Sequence, residues 1–508
     1  MAKIKRKKFK SVLLENDIRV IKFTISKLVD MFFEHALSDI KYPLKDYKKI
    51  KVIDEKFSPD GIGDVDKLLK IISLEIFDQA IYKNKPEYLK FVDNGASIVN
   101  VEAAVINSLL NQNLTAHLTD SPGATFHEIA LIRCVRELVG FPVKNIIKSV
   151  LDVGGYFASG GMMGNMAALL VARNSLQPDA QTNGVLPNVK LIVPAFAAHY
   201  STWNAMGWLG FGDSNVVHVK TKNFCYDLVE LERSIIKTKS EGSKILAVVA
   251  SLGDPYSMKV ENILKVREVC DKYGIWLHGD GANCGTLIFS NRYRKCINHI
   301  ELCDSITLDP HKILGLNYPI SIFLCKDIEK FNSVASHWNI INRKDSFDLG
   351  IITPFLNSRG FDSLKLWILL KYFGLNGVAK IIDNKIDATN SLREKLSMLG
   401  NNIKFWNSSI TFSILFQVIP NSLQKKGEKH DDDYFNKLGD AQEKFKNILE
   451  DTSSIGIHGF KLPISIGFKN SNSDKLISVL CIQNAHEKIP NYIIRRLNKV
   501  IEIFCSNN

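Results

Sequence analysis

The sequence predicts an α/β protein built around a mostly parallel sheet. Between about residues 120 and 375, short continuous apolar runs alternate with amphipathic stretches. The runs are apolar on both faces, which is typical of strands in a parallel sheet that helices cover on both sides. The stretches between them have the period of helices. The strands predicted from the runs are residues 189–196, 245–251, 275–278, 305–308 and 321–325.

The stretch at residues 259–273 illustrates the predicted helices. Its apolar side chains are expected on one helical face; they are Val260, Ile263, Leu264, Val266 and Val269. Gly274 follows directly. Glycine is favoured just past the last turn of a helix, because it adopts a left-handed conformation at little cost. We therefore expect a helix that ends at residue 273.

The two ends of the chain differ from this central region. The N-terminal part is mostly helical by its apolar periodicity, which is clear at residues 20–33. After about residue 376 the pattern is α+β, with strands predicted at residues 413–419 and 478–482 and a closing amphipathic helix at residues 492–504.

Chain length and these changes of pattern predict three parts, because 508 residues exceed one ordinary domain. Residues 1–118 form an N-terminal helical segment, and residues 119–375 form a large α/β domain. Residues 376–508 form a small α+β domain at the C-terminus. We expect the ligand site in the large domain.

Composition excludes several classes of protein. An apolar fraction of 45% with 23% charged residues is that of a globular protein. No apolar run reaches the roughly 20 residues that a membrane helix needs, and the basic first ten residues are not followed by the apolar stretch of a secretory signal. The nine cysteines are scattered without metal-ligand spacing, which favours a reducing compartment and no metal. The net charge of +12 lies partly in the first ten residues and is otherwise dispersed among acidic residues, so we expect no binding to nucleic acid. Without a predicted membrane helix or secretory signal, we expect a soluble cytoplasmic protein.

A glycine turn at residues 159–165 precedes a predicted helix. Its candidate ligand-binding residues are Ser159, Gly160, Gly161, Met162 and Asn165. A turn of this kind exposes backbone N–H groups at the positive end of the helix dipole, where a phosphate binds well. Glycine turns before helices are common, so the segment is not specific by itself.

Two polar residues follow buried strands. His199 comes just after the run that ends at residue 196, and Asp280 ends the run at residues 275–280, before the small Ala282. Open α/β sheets bind ligands at such strand ends. A stacked imidazole could hold a pyridine ring flat and move protons, and a buried carboxylate needs a cationic partner such as a protonated pyridine nitrogen. Each residue taken singly could also be structural.

Lys312 ends the tetrapeptide Asp309-Pro310-His311-Lys312, which follows the apolar run at residues 305–308. A lysine placed there can form a Schiff base with an aldehyde, although the tetrapeptide alone could be a surface turn. The glycine turn, His199, Asp280 and Lys312 come in an order that one cofactor explains. That cofactor is pyridoxal 5'-phosphate (PLP).

The sequence resembles the group II PLP-dependent amino-acid decarboxylases, which include the glutamate, aromatic-amino-acid, tyrosine and cysteine-sulfinate decarboxylases. The resemblance covers about residues 90–505. Its motifs are Ser121-Pro-x-x-Thr-x-x-Glu128, Ser159-Gly-Gly161 with Asn165, Ala172-Arg-Asn174, His199-Tyr-Ser201, His278-x-Asp280-x-Ala282, Asp309-Pro-His-Lys312, Ser363-Leu-Lys-Leu-Trp367 and Ile482-Gln-Asn484. It implies the aspartate-aminotransferase fold (fold type I), with a seven-stranded sheet in the large domain.

By that resemblance, Lys312 would carry the internal aldimine, Asp280 would pair with the pyridine nitrogen and His199 would stack on the ring. The other cofactor-binding residues would be Ser159, Gly160, Gly161, Met162, Asn165, Ser251, Ala282, Asp309 and His311. The reaction would be decarboxylation of an L-amino acid through a quinonoid. The enzyme would be a homodimer with active sites at its interface and the N-terminal segment embracing the partner.

The chain departs from the family pattern at three places. Met162 replaces a small or hydroxylated residue, and Asp254 stands in a turn that is Gly-Thr-Thr in the family, which puts a carboxylate near the cofactor region. Residues 331–349 lack the loop tyrosine that returns a proton to the substrate carbon. His337 or Trp338 aligns with it, and of these only His337 can act as a general acid. Alternatively, the proton donor lies elsewhere.

Decarboxylation is therefore the favoured function, with two alternatives on the same scaffold. The missing tyrosine suggests an oxidative decarboxylase-deaminase that forms an aldehyde, and an aldolytic PLP lyase is also possible. A non-enzyme scaffold is disfavoured because the candidate lysine, aspartate and histidine are all present. The substrate is not fixed by family analogy. The net positive charge favours an acidic amino acid as the substrate. For such a substrate, Lys425 or Lys426 could replace an arginine of glutamate-specific relatives.

Overall fold

The computed structural model describes residues 18–37, 59, 61–62, 64–93, 97–335, 345–407, 411–424, 431–468 and 475–508. Four residues named above lie outside these ranges: His337, Trp338, Lys425 and Lys426. None of the helices within the described ranges combines the length and apolar character that crossing a membrane requires.

The described N-terminal residues are largely helical. The helices are α1 (Ile18–Leu37), α2 (Val65–Ile71), α3 (Ile98–Leu110), α4 (His117–Asp120) and α5 (Pro122–Val139). The helix predicted at residues 20–33 lies within α1, and α2 continues as a π-helical turn over Ile72–Phe77. Helices α3 and α5 both pack against the later helix α12, described below, and so lie against the large domain.

A seven-stranded sheet forms the centre of the large domain. The strands of this region are β1 (Gly155–Ala158), β2 (Val189–Pro194), β3 (Val216–Val219), β4 (Thr221–Lys222), β5 (Cys225–Tyr226), β6 (Lys244–Ser251), β7 (Leu277–Gly281), β8 (Ser305–Leu308) and β9 (Ser321–Cys325). The sheet order is β1-β9-β8-β7-β6-β2-β3, and β4 and β5 pair separately. The five strands from β8 to β3 are parallel, whereas β9 is antiparallel to both of its neighbours. The predicted α/β fold is confirmed.

Most strands of this sheet are buried on both faces. The sequence between and after them forms α-helices. They are α6 (Gly161–Leu176), α7 (Ala180–Asn183), α8 (Ser201–Trp208), α9 (Leu228–Ser240), α10 (Ile263–Tyr273), α11 (Ile328–Phe331) and α12 (Leu364–Ser397). Helix α10 ends at Gly274 as predicted, with φ of 63°. It begins later than expected because the Asn262 side chain caps it. Leu264 is exposed rather than buried, because the buried stripe of α10 runs through Ile263 and Val266.

The C-terminal residues form a second, antiparallel sheet of four strands. Its elements are β10 (Ile403–Phe405), β11 (Ser413–Val418), α13 (Asp432–Ser453), β12 (His458–Pro463), α14 (Ile464–Gly467), β13 (Leu476–Gln483) and α15 (Asn491–Asn507). The order is β10-β11-β13-β12. The two strands and the closing helix predicted here are present. The boundary at residue 375 stays a prediction, although α12 breaks beside it at Gly374, whose φ is 64° and ψ is 175°.

Candidate active site

The candidate site lies at the carboxyl ends of strands β6, β7 and β8. Ser251 at the end of β6 is buried and in register with Asp280 of β7, which is in register with Thr307 of β8. Helix α6 packs on β8 and β9, and its first residue, Gly161, reaches Asp309 beyond β8. Open α/β sheets bind ligands at this edge.

Lys312 lies in the turn after β8, and its ammonium faces Asp309. The Nζ atom is 3.5 Å from Asp309 Oδ2, and His311 Nε2 is 3.6 Å from the same oxygen. Asp309 is 2% exposed, and its Oδ1 atom has no hydrogen-bond partner among the described residues. Burial lowers the pKa of His311. Lys312 Nζ and His311 Nε2 thus both lie within 4 Å of this carboxylate.

The turn before α6 has the geometry of a phosphate cradle. Gly160 has φ of 101°, and a Cβ added there would meet no atom within 4 Å. A Cβ on Gly161 would lie 2.6 Å from Asp309 Oδ2, so a larger residue here would push the start of α6 away from Asp309. The first amides of α6 have no acceptor within the helix and can bind an anion. Ser159 is exposed at this opening, and Met162 is half-buried in the first turn.

Asp280 is 7% exposed and is held by two neutral donors. Asn165 Nδ2 donates to Asp280 Oδ2 over 2.9 Å, and the Ala282 amide donates to Oδ1 over 3.2 Å. The Asn165 carbonyl accepts from His278 Nε2 at 3.0 Å, and the Ser305 hydroxyl donates to His278 Nδ1 at 3.0 Å. Burial lowers the pKa of His278 to about 4, so it remains neutral. Within the described ranges, no lysine or arginine forms an ion pair with this carboxylate.

Ser201 joins His199 to the same network. The Ser201 amide donates to His199 Nδ1 over 3.2 Å, and its hydroxyl lies 2.9 Å from that nitrogen. The hydroxyl also accepts from Asn165 Nδ2 at 2.9 Å. Because Nδ1 is an acceptor, Nε2 carries the proton of the neutral ring. Burial lowers the pKa of His199, and the nearby Asp280 opposes this effect. Neither Ser201 nor His278 was among the predicted site residues, although both stand in the motifs that carry the family resemblance.

Asp254 has a structural role within its own turn. It is fully buried, and its oxygens accept from the amides of Tyr256, Ser257 and Lys259 at 2.8–2.9 Å and from the Ser257 hydroxyl. Burial raises the pKa of Asp254 to about 6. Its hydrogen bonds thus hold the turn, and we assign it no contact with a ligand.

The residues at this edge fit PLP. The hydrogen-bond donors to the buried Asp280 are neutral, and its carboxylate would accept a further hydrogen bond from a protonated ring nitrogen. The open space at Gly160 and the first amides of α6 suit a phosphate. Lys312 is 23% exposed in its side chain, so its amine is accessible to an aldehyde. The unpartnered Asp309 Oδ1 is a further polar atom available to a bound group.

Comparison with known proteins agrees with this geometry. A family model described as the pyridoxal-dependent decarboxylase conserved domain matches residues 48–418. An L-2,4-diaminobutyrate decarboxylase of Acinetobacter baumannii is 28% identical over 383 residues, which are 72% of this chain and 73% of that protein. An aromatic-L-amino-acid decarboxylase of Bacillus atrophaeus is 25% identical over 411 residues, 78% of this chain and 81% of that protein.

Among solved structures, that of mouse CSAD superimposes with a TM-score of 0.82 at 20% identity, covering 97% of this chain and 100% of that one. At this level of identity the likeness establishes a common fold. The aspartate-aminotransferase type of fold that the motifs implied is therefore confirmed.

Proposed function

The chain belongs to the pyridoxal-dependent decarboxylase family, and we propose that it removes the α-carboxylate of an L-amino acid with its cofactor anchored at Lys312. Membership of the family establishes PLP as the cofactor and carboxy-lyase as the class of enzyme. The observation that carries the residue assignment is the network that joins His199, Ser201, Asn165 and Asp280 beside the Lys312 turn.

Each of these residues has one proposed task. PLP, when bound, supplies an aldehyde for the lysine and a ring that withdraws electrons from the bond to the departing carboxylate. Lys312 provides the amine, and Asp309 lies 3.5 Å away to orient it. Asp280 keeps a proton on the ring nitrogen, while Asn165 fixes the direction of that carboxylate. The neutral His199 provides a flat surface against the ring. The amides of Gly161 and Met162 bind the phosphate.

His337 is the proposed donor of the proton that replaces the carboxylate. Replacing it with glutamine should lower the kcat for amine formation by at least about tenfold, since general acids contribute roughly 10²–10⁴-fold. The share of turnovers in which dioxygen and water convert the substrate to aldehyde, carbon dioxide and ammonia, with the dioxygen reduced to peroxide, should rise, because the proton that replaces the carboxylate is returned more slowly. The matched control is Trp338→Phe. This variant should keep the kcat for amine formation and the share of peroxide-forming turnovers near those of the unmodified enzyme.

Amine, carbon dioxide and peroxide should be measured together. A screen should include 2,4-diaminobutyrate, aspartate, glutamate, cysteine sulfinate and aromatic amino acids, since the relatives span several side-chain classes. If the unmodified enzyme formed peroxide and aldehyde but no amine, its function would be the oxidative alternative and not simple decarboxylation. If Trp338→Phe alone changed the products, the proton donor would not be His337.

We also propose that the protein works as a homodimer. Large apolar side chains are exposed on α3, α4, α5 and α12, and α12 packs against both α3 and α5. They include Leu109, Leu110, Leu118, Phe126, Tyr372 and Leu375. Apolar surface of this extent favours burial against a partner. The mass in solution, measured by light scattering, should be about twice the 57.1 kDa of one chain; a monomer at micromolar concentration contradicts the proposal.

A cytoplasmic location is the remaining proposal. All nine cysteines lie in described segments and are free. Free thiols in this number suit a reducing compartment. Cell fractionation tests the proposal, and recovery of the protein with intermolecular or intramolecular disulfides would oppose it.

A further inference from the structure

A fully buried lysine holds the backbone just past Lys312. Lys385 of α12 is 1% exposed, and its Nζ atom donates to the carbonyl oxygen of Ile313 over 2.6 Å. Ile313 follows Lys312 directly and is itself 1% exposed. The next hydrogen bond of the turn joins the Gly315 amide to the Lys312 carbonyl at 3.1 Å. The Lys385 amine is thus hydrogen-bonded to the backbone of the turn that begins at Lys312.

A buried asparagine holds the same segment from another element. Asn100 of α3 is 0% exposed, and its Nδ2 donates to the Gly315 carbonyl over 2.8 Å. Its Oδ1 accepts from the Asn317 amide at 3.0 Å. One side chain therefore satisfies both a donor and an acceptor of the segment at residues 313–317. Its element, α3, belongs to the N-terminal segment, whereas Lys385 lies in the part of α12 beyond residue 375.

Burying the Lys385 ammonium costs free energy, and the need to fill space in the core does not explain why a lysine stands here. Burying an amine disfavours its charged form, and burial lowers the pKa of Lys385 to about 8. A methionine would fill similar volume without that cost. The side chain of Asn484, just past β13, also donates to the main-chain carbonyl of Lys385 over 3.1 Å. The lysine is thus fixed to the C-terminal sheet at one end and to the Lys312 turn at the other.

We propose that Lys385 and Asn100 are positioning residues that clamp the segment at residues 313–317 and so hold Lys312 in place for its reaction. The proposal rests on the proposed role of Lys312 as the cofactor anchor. The clamp acts through backbone carbonyls and amides, so it sets the position of Lys312 without touching the reacting atoms. It also makes that position depend on two distant parts of the chain, α3 and the residues just past β13.

Lys385→Met is the first test, with Lys380→Met as its control on the exposed face of α12. In Lys385→Met, the Gly315 amide of the holoenzyme should exchange with deuterium at least about tenfold faster, because the turn is held at one end only. The kcat should fall about tenfold or more with KM changed less than about threefold, since displacement of a reacting group by about 1 Å costs up to about 10²-fold. Lys385→Gln keeps a donor and should recover part of both losses.

The result that overturns the clamp is a stability loss without these changes. If Lys385→Met melts earlier yet keeps the Gly315 exchange rate and kcat of Lys380→Met, the lysine is only structural. Should Lys385→Met not fold, Asn100→Ala carries the test, because it leaves no buried charge unpaired. Unchanged Gly315 exchange in that variant also overturns the proposal.

A separate readout distinguishes failure of the anchor from failure of the clamp. Borohydride reduction of the unmodified holoenzyme, followed by peptide mass mapping, should place the pyridoxyl group on Lys312. A label on another lysine defeats the anchor assignment and the clamp's purpose, whatever the exchange data show. A label on Lys312 with unaltered exchange in both variants defeats the clamp alone.

Discussion

Lys312→Ala should abolish amine formation, with kcat reduced at least about 10⁴-fold, the scale on which loss of a covalent catalytic group acts. The methyl side chain offers no amine to the cofactor aldehyde. Borohydride should therefore no longer attach a pyridoxyl group to the protein. The cofactor should still bind weakly, because the phosphate cradle before α6 and Asp280 do not depend on the lysine.

The same variant changes the charge around Asp309. In the native protein, Lys312 acts to lower the pKa of His311, while the Asp309 carboxylate acts to raise it. Without the lysine, the pKa of His311 measured by NMR in the cofactor-free protein should rise. Lys380→Ala serves as the matched control and should leave activity, labelling and this pKa unchanged. Amine formation within about tenfold of the unmodified rate in Lys312→Ala would falsify the anchor assignment.

Local pattern was sufficient to place two candidate catalytic residues at the ends of strands. Strands β6, β8 and β9 are buried on both faces, so each is visible as an apolar run, and the residue after such a run must lie at the sheet edge. The candidate Lys312 was placed in this way, in the turn after the run that corresponds to β8. The candidate Asp280 was placed at the end of the run at residues 275–280, which overlaps β7. Strand β1 was not predicted, because its four residues begin with the second of two consecutive glycines and are too few for a clear pattern.

The network beneath the site could not be predicted from local pattern. Asn165 belongs to α6, Ser201 to α8 and His278 to β7, and they meet only because α6 packs across the sheet and against α8. Sequence spacing carries no information on such contacts between distant elements. The resemblance grouped Asn165 with the cofactor-binding residues, whereas the described contacts of its amide are with Asp280, Ser201 and His278. We therefore assign it the orientation of Asp280.

Asp280→Asn should lower kcat by about 10²–10⁴-fold, the range of a well-placed proton-transfer group. An amide has nearly the volume of the carboxylate but cannot keep a proton on the ring nitrogen, so the ring loses its power to withdraw electrons. The cofactor-free variant should be as stable as the unmodified protein or more stable by on the order of 1 kcal/mol, because a buried carboxylate without a cation costs more than a buried amide. Activity and stability should thus move in opposite directions.

The direction of the hydrogen bonds gives this variant a second signature. Asp280 only accepts, which forces Asn165 to present its Nδ2 to Asp280 and Ser201 and its carbonyl to His278. An amide at residue 280 can donate, so Asn165 can turn over and His278 can shift its proton from Nε2 to Nδ1, where the Ser305 carbonyl at 3.2 Å accepts it. NMR of His278 in cofactor-free Asp280→Asn should show this change of tautomer, and Asp280→Glu should not. An Asp280→Asn enzyme with kcat within about threefold of the unmodified value would show that another group holds the ring proton, and would contradict the role proposed for Asp280.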